Sequence, residues 1–150
     1  MHLLRLFFSF RGRVNRAGFW IVSLTWLVLA AVLAIVWASS GVSTLLLGGN
    51  DPVAPGGVLV AIPVIASSLA VCVRRLHDRN KSAWWLLLFL LCPAVMDAVG
   101  SVGTLDAAPA VGLMVLSRAI VIWAFVELGC LPGSAGTNRY GPDPLAGAAV

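Results

Sequence analysis

The chain has 150 residues, of which 60% are apolar and only 11% charged, where soluble domains average about 45–50% and about 25%. A water-soluble domain of this length cannot cover so much apolar surface, so the composition excludes an ordinary soluble protein and predicts one membrane-embedded domain. The net charge of +4 is not a nucleic-acid signature, because the basic residues sit in short clusters beside apolar runs, without an aromatic stacking platform or a nucleic-acid-binding motif.

In chain order, residues 2–10 mix Leu3, Leu4, Leu6, Phe7, Phe8 and Phe10 with Arg5. The segment is too short and too charged to span, and reads as an amphipathic piece lying on the membrane. Arg11, Arg13 and Arg16 then precede an apolar run at 19–38, close to the ~20 residues needed to cross a ~30 Å core. A signal peptide with a cleavage site near Ala38 or Ser40 is the competing reading, but its apolar region spans only about 7–15 residues, so this helix is expected to be retained. Residues 39–56 hold Gly41, Gly48, Gly49, Asn50, Pro52, Pro55 and Gly56 and predict a loop, although residues 42–47 can extend the first helix. A second span follows at 57–73, with Pro63 as a kink.

The stretch V-R-R-L-H-D-R-N-K-S-A-W-W at 73–85 carries Arg74, Arg75, Arg79 and Lys81, the His77-Asp78 doublet and a Trp pair. It predicts a middle loop leading into a third span at 84–102, with Ser82 as its N-cap. That span contains Pro93 and Asp97. Residues 103–110 form a short loop, and a fourth span at 111–131 carries Arg118 and Glu127. The Gly- and Pro-rich tail reads as ordered turns. The fold expected is all-α, a polytopic membrane protein of four transmembrane helices. Cys72, Cys92 and Cys130 lie in apolar runs with no C-x-x-C and no metal spacing, so neither a disulfide framework nor a metal site is expected.

Nine of the ten Lys and Arg residues fall in the N-terminal segment, the middle loop and the tail, and none in the two alternate loops. Positive charge stays in the cytoplasm, which predicts that both termini and the middle loop are cytoplasmic. Asp97 and Arg118 fall at a common depth, about 20 Å from the inner face at ~1.5 Å per residue. Since each charge costs roughly 2.5–3.5 kcal/mol at a helix centre, they are expected to pair inside the bundle.

The same orientation brings three polar segments to one face. Helix ends in a bundle lie about 8–10 Å apart, within side-chain reach. Asp78 and Asp143 are the acids available to Arg13, Arg16, Arg74, Arg75 and Arg139, with Asn15, His77, Asn138 and Tyr140 as neutral partners. A single cluster is expected, centred on Arg74 or Arg75 with Asp78, with the C-terminal turn docked on the middle loop. Arg74 and Asp78, four apart, can meet on a helix, whereas neighbours such as His77 and Asp78 diverge by about 100° and form no relay with each other. No nucleophile or metal set accompanies the doublet, so no catalytic residue is assigned.

Three stretches together resemble the bacterial inner-membrane proteins grouped as domain of unknown function 805. F-R-G-R-V-N-R-A-G-F-W at 10–20 is similar to F-x-G-R-x-N-R-x-x-F/Y-W, R-R-L-H-D-R-N-K-S-A-W-W at 74–85 to R-R-L-H-D-x-G-x-S-G-W-W, and G-T-N-R-Y-G-P-D-P at 136–144 to G-x-N-R-Y-G-x-D-P. The resemblance covers nearly the whole chain. Ala17 and Gly18 replace a pair that is often polar, which removes any salt bridge made there. Asn80 and Ala83 replace glycines, and Asn is the residue that best tolerates the left-handed backbone a Gly marks. The family implies a small multi-pass inner-membrane protein and supplies no reaction or cofactor.

Three roles are compatible with these features. The first is a non-catalytic protein that assembles with protein, with anionic lipid head groups or with its own copies at the cytoplasmic face. The second is a small transporter or channel subunit, prompted by the charges at membrane depth. The third is an enzyme acting on lipid head groups through His77 and Asp78.

Overall fold

The computed structural model describes residues 5, 7–40, 55–102 and 106–146, with side chains omitted at 34, 36–40 and 55–59. The question of whether residues 42–47 extend the first helix lies outside them. Among the described residues the regular elements are all helical, with no strand, and the N-terminal motif and the tail are turns and irregular chain. Helix α1 is Arg16–Ser40 and α2 is Pro55–Asp78. A π-helical turn at Leu87–Leu91 leads into α3, Cys92–Ser101, and α4, Ala107–Phe125, ends in a second π-helical turn, Val126–Cys130. Three stretches are long and apolar enough to cross a bilayer, Arg16–Leu33, Val60–Asp78 and Ala107–Cys130, and Leu87–Ser101 is a shorter apolar helix.

The element boundaries depart from the sequence expectation in instructive ways. Residues 74–78 were expected in the middle loop but form the last turns of α2, because V-R-R-L-H-D contains no breaker. The helix stops just before Asn80, whose φ of 56° is left-handed, the backbone state that ends many helices and that Asn accepts more readily than other non-glycine residues. At the other hairpin α4 starts at Ala107 and takes in Pro109, where a proline ring is harmless because the first-turn N–H groups have no partner inside the helix. Pro93 sits at the start of α3, directly after the wider π turn in which the Cys92 N–H reaches back to the Leu87 carbonyl. Ser82 contributes its carbonyl, which accepts the Trp85 N–H at 3.3 Å.

The chain forms two compact units, Met1–Phe10 with Ala17–Val71, and Arg11–Arg16 with Cys72–Val150. In the first, Val22, Ala70 and Val71 are buried and the fully buried Ser67 accepts a 3.0 Å bond from Trp26 Nε1. Phe7 meets Trp26 edge to face, with centroids 5.9 Å apart, while Phe8 stays exposed. That contact ties the amphipathic N-terminal segment to α1 by its apolar side.

In the second unit α3 packs on α4. Ser117, fully buried, sits 3.5 Å from the Pro93 carbonyl, and Trp85, Phe89 and Trp123 form a cluster with centroids 5.4–5.8 Å apart in which Trp123 meets the other two rings edge to face. Asp97 and Arg118 form an ion pair, with Arg118 also 3.3 Å from Ser117 Oγ. The pair lies at the surface of the hairpin, with side chains 40% and 58% exposed. The reason is helical geometry. Arg118 follows the inward-facing Ser117 by one residue, so it is turned about 100° away from the packed face.

Large apolar side chains such as Leu27, Ile62, Val115 and Ile122 are exposed along the helices, as a hydrocarbon solvent requires. Charge reversal at Asp97 or Arg118 alone should lower the yield of folded protein in membranes. The exchange Asp97→Arg with Arg118→Asp should restore part of it, and a double variant no better than the singles would show that the pair contributes nothing.

Candidate functional site

The second unit gathers the basic motifs around one carboxylate. Asp78, at the end of α2, is 2% exposed. Arg75, one turn earlier and completely buried, binds Asp78 Oδ2 through Nη1, and Arg13 Nε donates to Oδ1 at 3.0 Å. The partner along the helix is therefore Arg75, three residues away, and not Arg74. Arg74 is also buried, and its carbonyl accepts the Val14 N–H at 3.4 Å, which fastens the N-terminal motif to α2.

Two guanidinium groups on one carboxylate leave an excess positive charge that needs other acceptors. Backbone carbonyls supply them. The π turn at the end of α4 and the extended Leu131 after it strand carbonyls that no helical N–H can reach. Arg75 occupies two of these, donating from Nε to the Leu128 carbonyl at 2.8 Å and from Nη2 to that of Leu131. Arg13 reaches the tail, where Nη2 donates to the Ser134 carbonyl and Nη1 to the Gly136 carbonyl. The Asp78 carbonyl in turn accepts from the N–H and hydroxyl of Ser134, at 2.8 and 2.9 Å. Gly133 permits this close approach, since a Cβ there would sit 2.1 Å from Asp78 Oδ2.

His77 turns away from Asp78. Its ring stacks on Tyr140 with centroids 3.8 Å apart and planes 7° from parallel, and Nδ1 lies 3.3 Å from the Gly12 carbonyl. A carbonyl only accepts, so Nδ1 carries the proton of this bond. Gly12 has φ of 86°, a backbone state that a β-carbon would strain. Asn138 Nδ2 donates to the His77 carbonyl and to Ser134 Oγ, both at 2.9 Å, and its Oδ1 accepts the Tyr140 N–H. Arg139 donates to the Asn80 carbonyl at 3.1 Å and lies over the Tyr140 ring. The tail is thus docked on the middle loop.

Of the other expected members, Arg16 stands at the rim, with Nη1 3.1 Å from the Cys130 carbonyl, and Asn15 lies beside it in the same cleft. Asp143, expected as a second acid for the arginines, instead closes its own turn, accepting the Leu145 N–H at 2.9 Å and the Gly136 N–H at 3.1 Å. These bonds, that of Leu145 first, hold its carboxyl below the usual carboxylate range.

A second ion cluster adjoins the first. Glu127, 3% exposed within the π turn, accepts from Arg79 Nε at 3.0 Å and from Lys81 Nζ at 2.7 Å, and Lys81 lies over the Trp85 ring at 4.3 Å. At the expected cytoplasmic end of the fourth span, snorkelling or a basic partner accounts for Glu127, and the structure shows basic partners, whereas Gly133 and Ser134 were not anticipated. The signal for the last two was their place between the fourth span and the G-T-N-R-Y-G turn.

Two measurements check this geometry. Gly133→Ala should destabilise the folded protein in detergent by an amount approaching the ~3–5 kcal/mol of a broken buried ion pair. Gly112→Ala, where an added Cβ meets nothing within 4 Å, serves as control, and equal stability of the two variants would rule out the close approach. The second concerns pH. A carboxyl with a depressed folded pKa stabilises above its unfolded pKa, near 3.9, and that contribution is lost as pH falls through the folded value. Protection of the Gly136 and Leu145 amides, taken as exchange relative to that of an unstructured chain at each pH, should therefore fall as pH drops below about 4, and Asp143→Asn should abolish that change in protection.

With these contacts in place, the likenesses to other proteins fall on the residues that form them. Residues 7–142 match the family described as protein of unknown function (DUF805), a stretch that includes the first two motifs and the third as far as Pro142. Inner membrane protein YhaH of Escherichia coli K12 is 29% identical over 149 residues, covering 96% of this chain and 93% of its own length. Inner membrane protein YhaI of the same strain is 30% identical, with 98% and 95% covered, and the uncharacterized protein YiiR is 32% identical, with 95% and 90% covered. No solved structure matches. The chain belongs to the DUF805 family and is a multi-pass inner-membrane protein.

Proposed function

We propose that the protein is non-catalytic and acts by assembly, with the Arg13–Asp78–Arg75 cluster bracing its cytoplasmic end and presenting a basic surface to protein or anionic lipid. The observation that carries this reading is the engagement of the cluster. Both oxygens of Asp78 are held by guanidinium groups, and the His77 ring is taken up by Tyr140 and Gly12. These side chains do structural work, and a partner would meet the exposed surface on which Arg11, Arg16 and Arg139 lie. Each basic residue close to an anionic membrane surface adds about 1 kcal/mol of attraction. Orientation enters through the basic-residue asymmetry, which sets both termini and the middle loop in the cytoplasm.

A transport reading draws on the partly exposed Asp97–Arg118 pair, which can face a second copy of the chain or a polar path. Two experiments separate the readings. In a variant lacking the native cysteines, an impermeant thiol reagent applied to intact cells should label a cysteine at Ser101 and spare one at Asn80, and the reverse pattern inverts the orientation. Photo-cross-linking residues at Arg11 and Arg139 in native membranes should give a discrete protein or phospholipid adduct. Absence of any adduct, together with solute flux across proteoliposomes, would replace assembly with transport.

A further inference from the structure

A cleft of about 200 Å³ opens beside Asp78, between the N-terminal motif and the tail, lined among others by Asn15, Arg16, Gly133, Asp143 and Leu145. Its inner wall offers no accessible acid, because Asp78 is 2% exposed and each of its oxygens is held by Arg13 or Arg75. What remains for a ligand is one charge of each sign. Arg16, exposed at the rim, uses Nη1 for the Cys130 carbonyl, and a guanidinium has five donors, which leaves others for an anion. Asp143 spends two acceptor positions on the Gly136 and Leu145 N–H groups. A carboxylate has about four, so the rest can take N–H donors from a cation. Leu145, 56% exposed, adds an apolar lip.

We infer that this cleft holds an aminoethyl phosphate group, the headgroup of a phosphatidylethanolamine, with the phosphodiester at Arg16 and the primary ammonium at Asp143. The proposal rests on the reading that the cluster end of the chain lies at the membrane surface, and it names the lipid that this surface takes. The split of charge is what selects a zwitterion. A purely anionic headgroup is attracted by Arg16 and repelled by Asp143, and a simple amine meets the opposite pair of forces. A trimethylated choline headgroup keeps the charges but has no N–H to give Asp143, so it forfeits the directional bond. The apolar lip favours a ligand with a hydrocarbon tail over the same phosphate free in water.

Native mass spectrometry of the delipidated full-length protein, with phosphatidylethanolamine, phosphatidylcholine and phosphatidylglycerol of matched acyl chains, tests this directly. Phosphatidylethanolamine should be retained about tenfold better than either of the others, the scale of one charge-assisted hydrogen bond. Asp143→Asn keeps an acceptor for the turn and should bring phosphatidylethanolamine down to the level of phosphatidylcholine. Arg16→Gln should weaken all three. Equal retention of phosphatidylethanolamine and phosphatidylcholine by the unmodified protein overturns the proposal without recourse to any variant, as does displacement by phosphatidylglycerol. Competition by soluble phosphoethanolamine at the same concentration as the lipid would instead mark a water-soluble ligand and also overturn it. None of these outcomes bears on the cross-linking at Arg11 and Arg139, so the lipid site and the assembly reading stand or fall separately.

Discussion

The second unit depends on one carboxylate held between two guanidinium groups. Asp78 ends α2, Arg75 lies one turn before it and Arg13 arrives from the N-terminal motif, and the three side chains are no more than 4% exposed. Removing charges from water is expensive, and mutual attraction recovers the cost only when the remaining donors are also satisfied. Here the arginines carry the excess charge, and the stranded carbonyls of the second π turn and the tail absorb it. The same bonds satisfy the arginines and terminate α4.

This arrangement explains why segments far apart in sequence are tied together. The N-terminal motif supplies Arg13 and the Val14 N–H, the end of α2 supplies the acid, and the tail supplies carbonyls together with the Ser134 and Asn138 side chains. None of these bonds is strong in water. At the end of a membrane helix, with apolar packing beneath, they act in a lower dielectric and reinforce one another. The Glu127 cluster repeats the logic one step along, with Arg79 and Lys81 drawn to a single buried acid. The cleft lined by Arg16 and Asp143 is what this frame leaves open, and its functional interest comes from the rigidity of its walls.

Much of this was legible in the chain itself, for identifiable reasons. Hydropathy marks helices because hydrocarbon forces backbone groups to bond within their own segment, so apolar length translates directly into spans. The left-handed backbone at Asn80 was legible because it is a local property of the residue, although the helix before it runs on to Asp78 rather than ending at 73. The gathering of the N-terminal motif, the middle loop and the tail was expected from charge asymmetry, which assigns segments to a face without any knowledge of packing.

Selection among partners lay beyond the sequence. Arg74 and Arg75 are equivalent by composition, and only the rotation of α2 against Leu128 and Leu131 directs Arg75 to Asp78. Asp143 looked like a second acid for the arginines, yet a local turn captured it, because two backbone N–H groups two and seven residues away were closer than any guanidinium. The π turns, which create the acceptors that Arg75 needs, leave no pattern in L-L-F-L-L or V-E-L-G-C. By itself the sequence determined the number of apolar segments and the segments on which charge collects, both of them local or solvent-driven properties. The tertiary structure decided which charges meet, which remain at the surface and where the cleft opens, since those depend on the relative rotation of packed helices, which no local preference encodes.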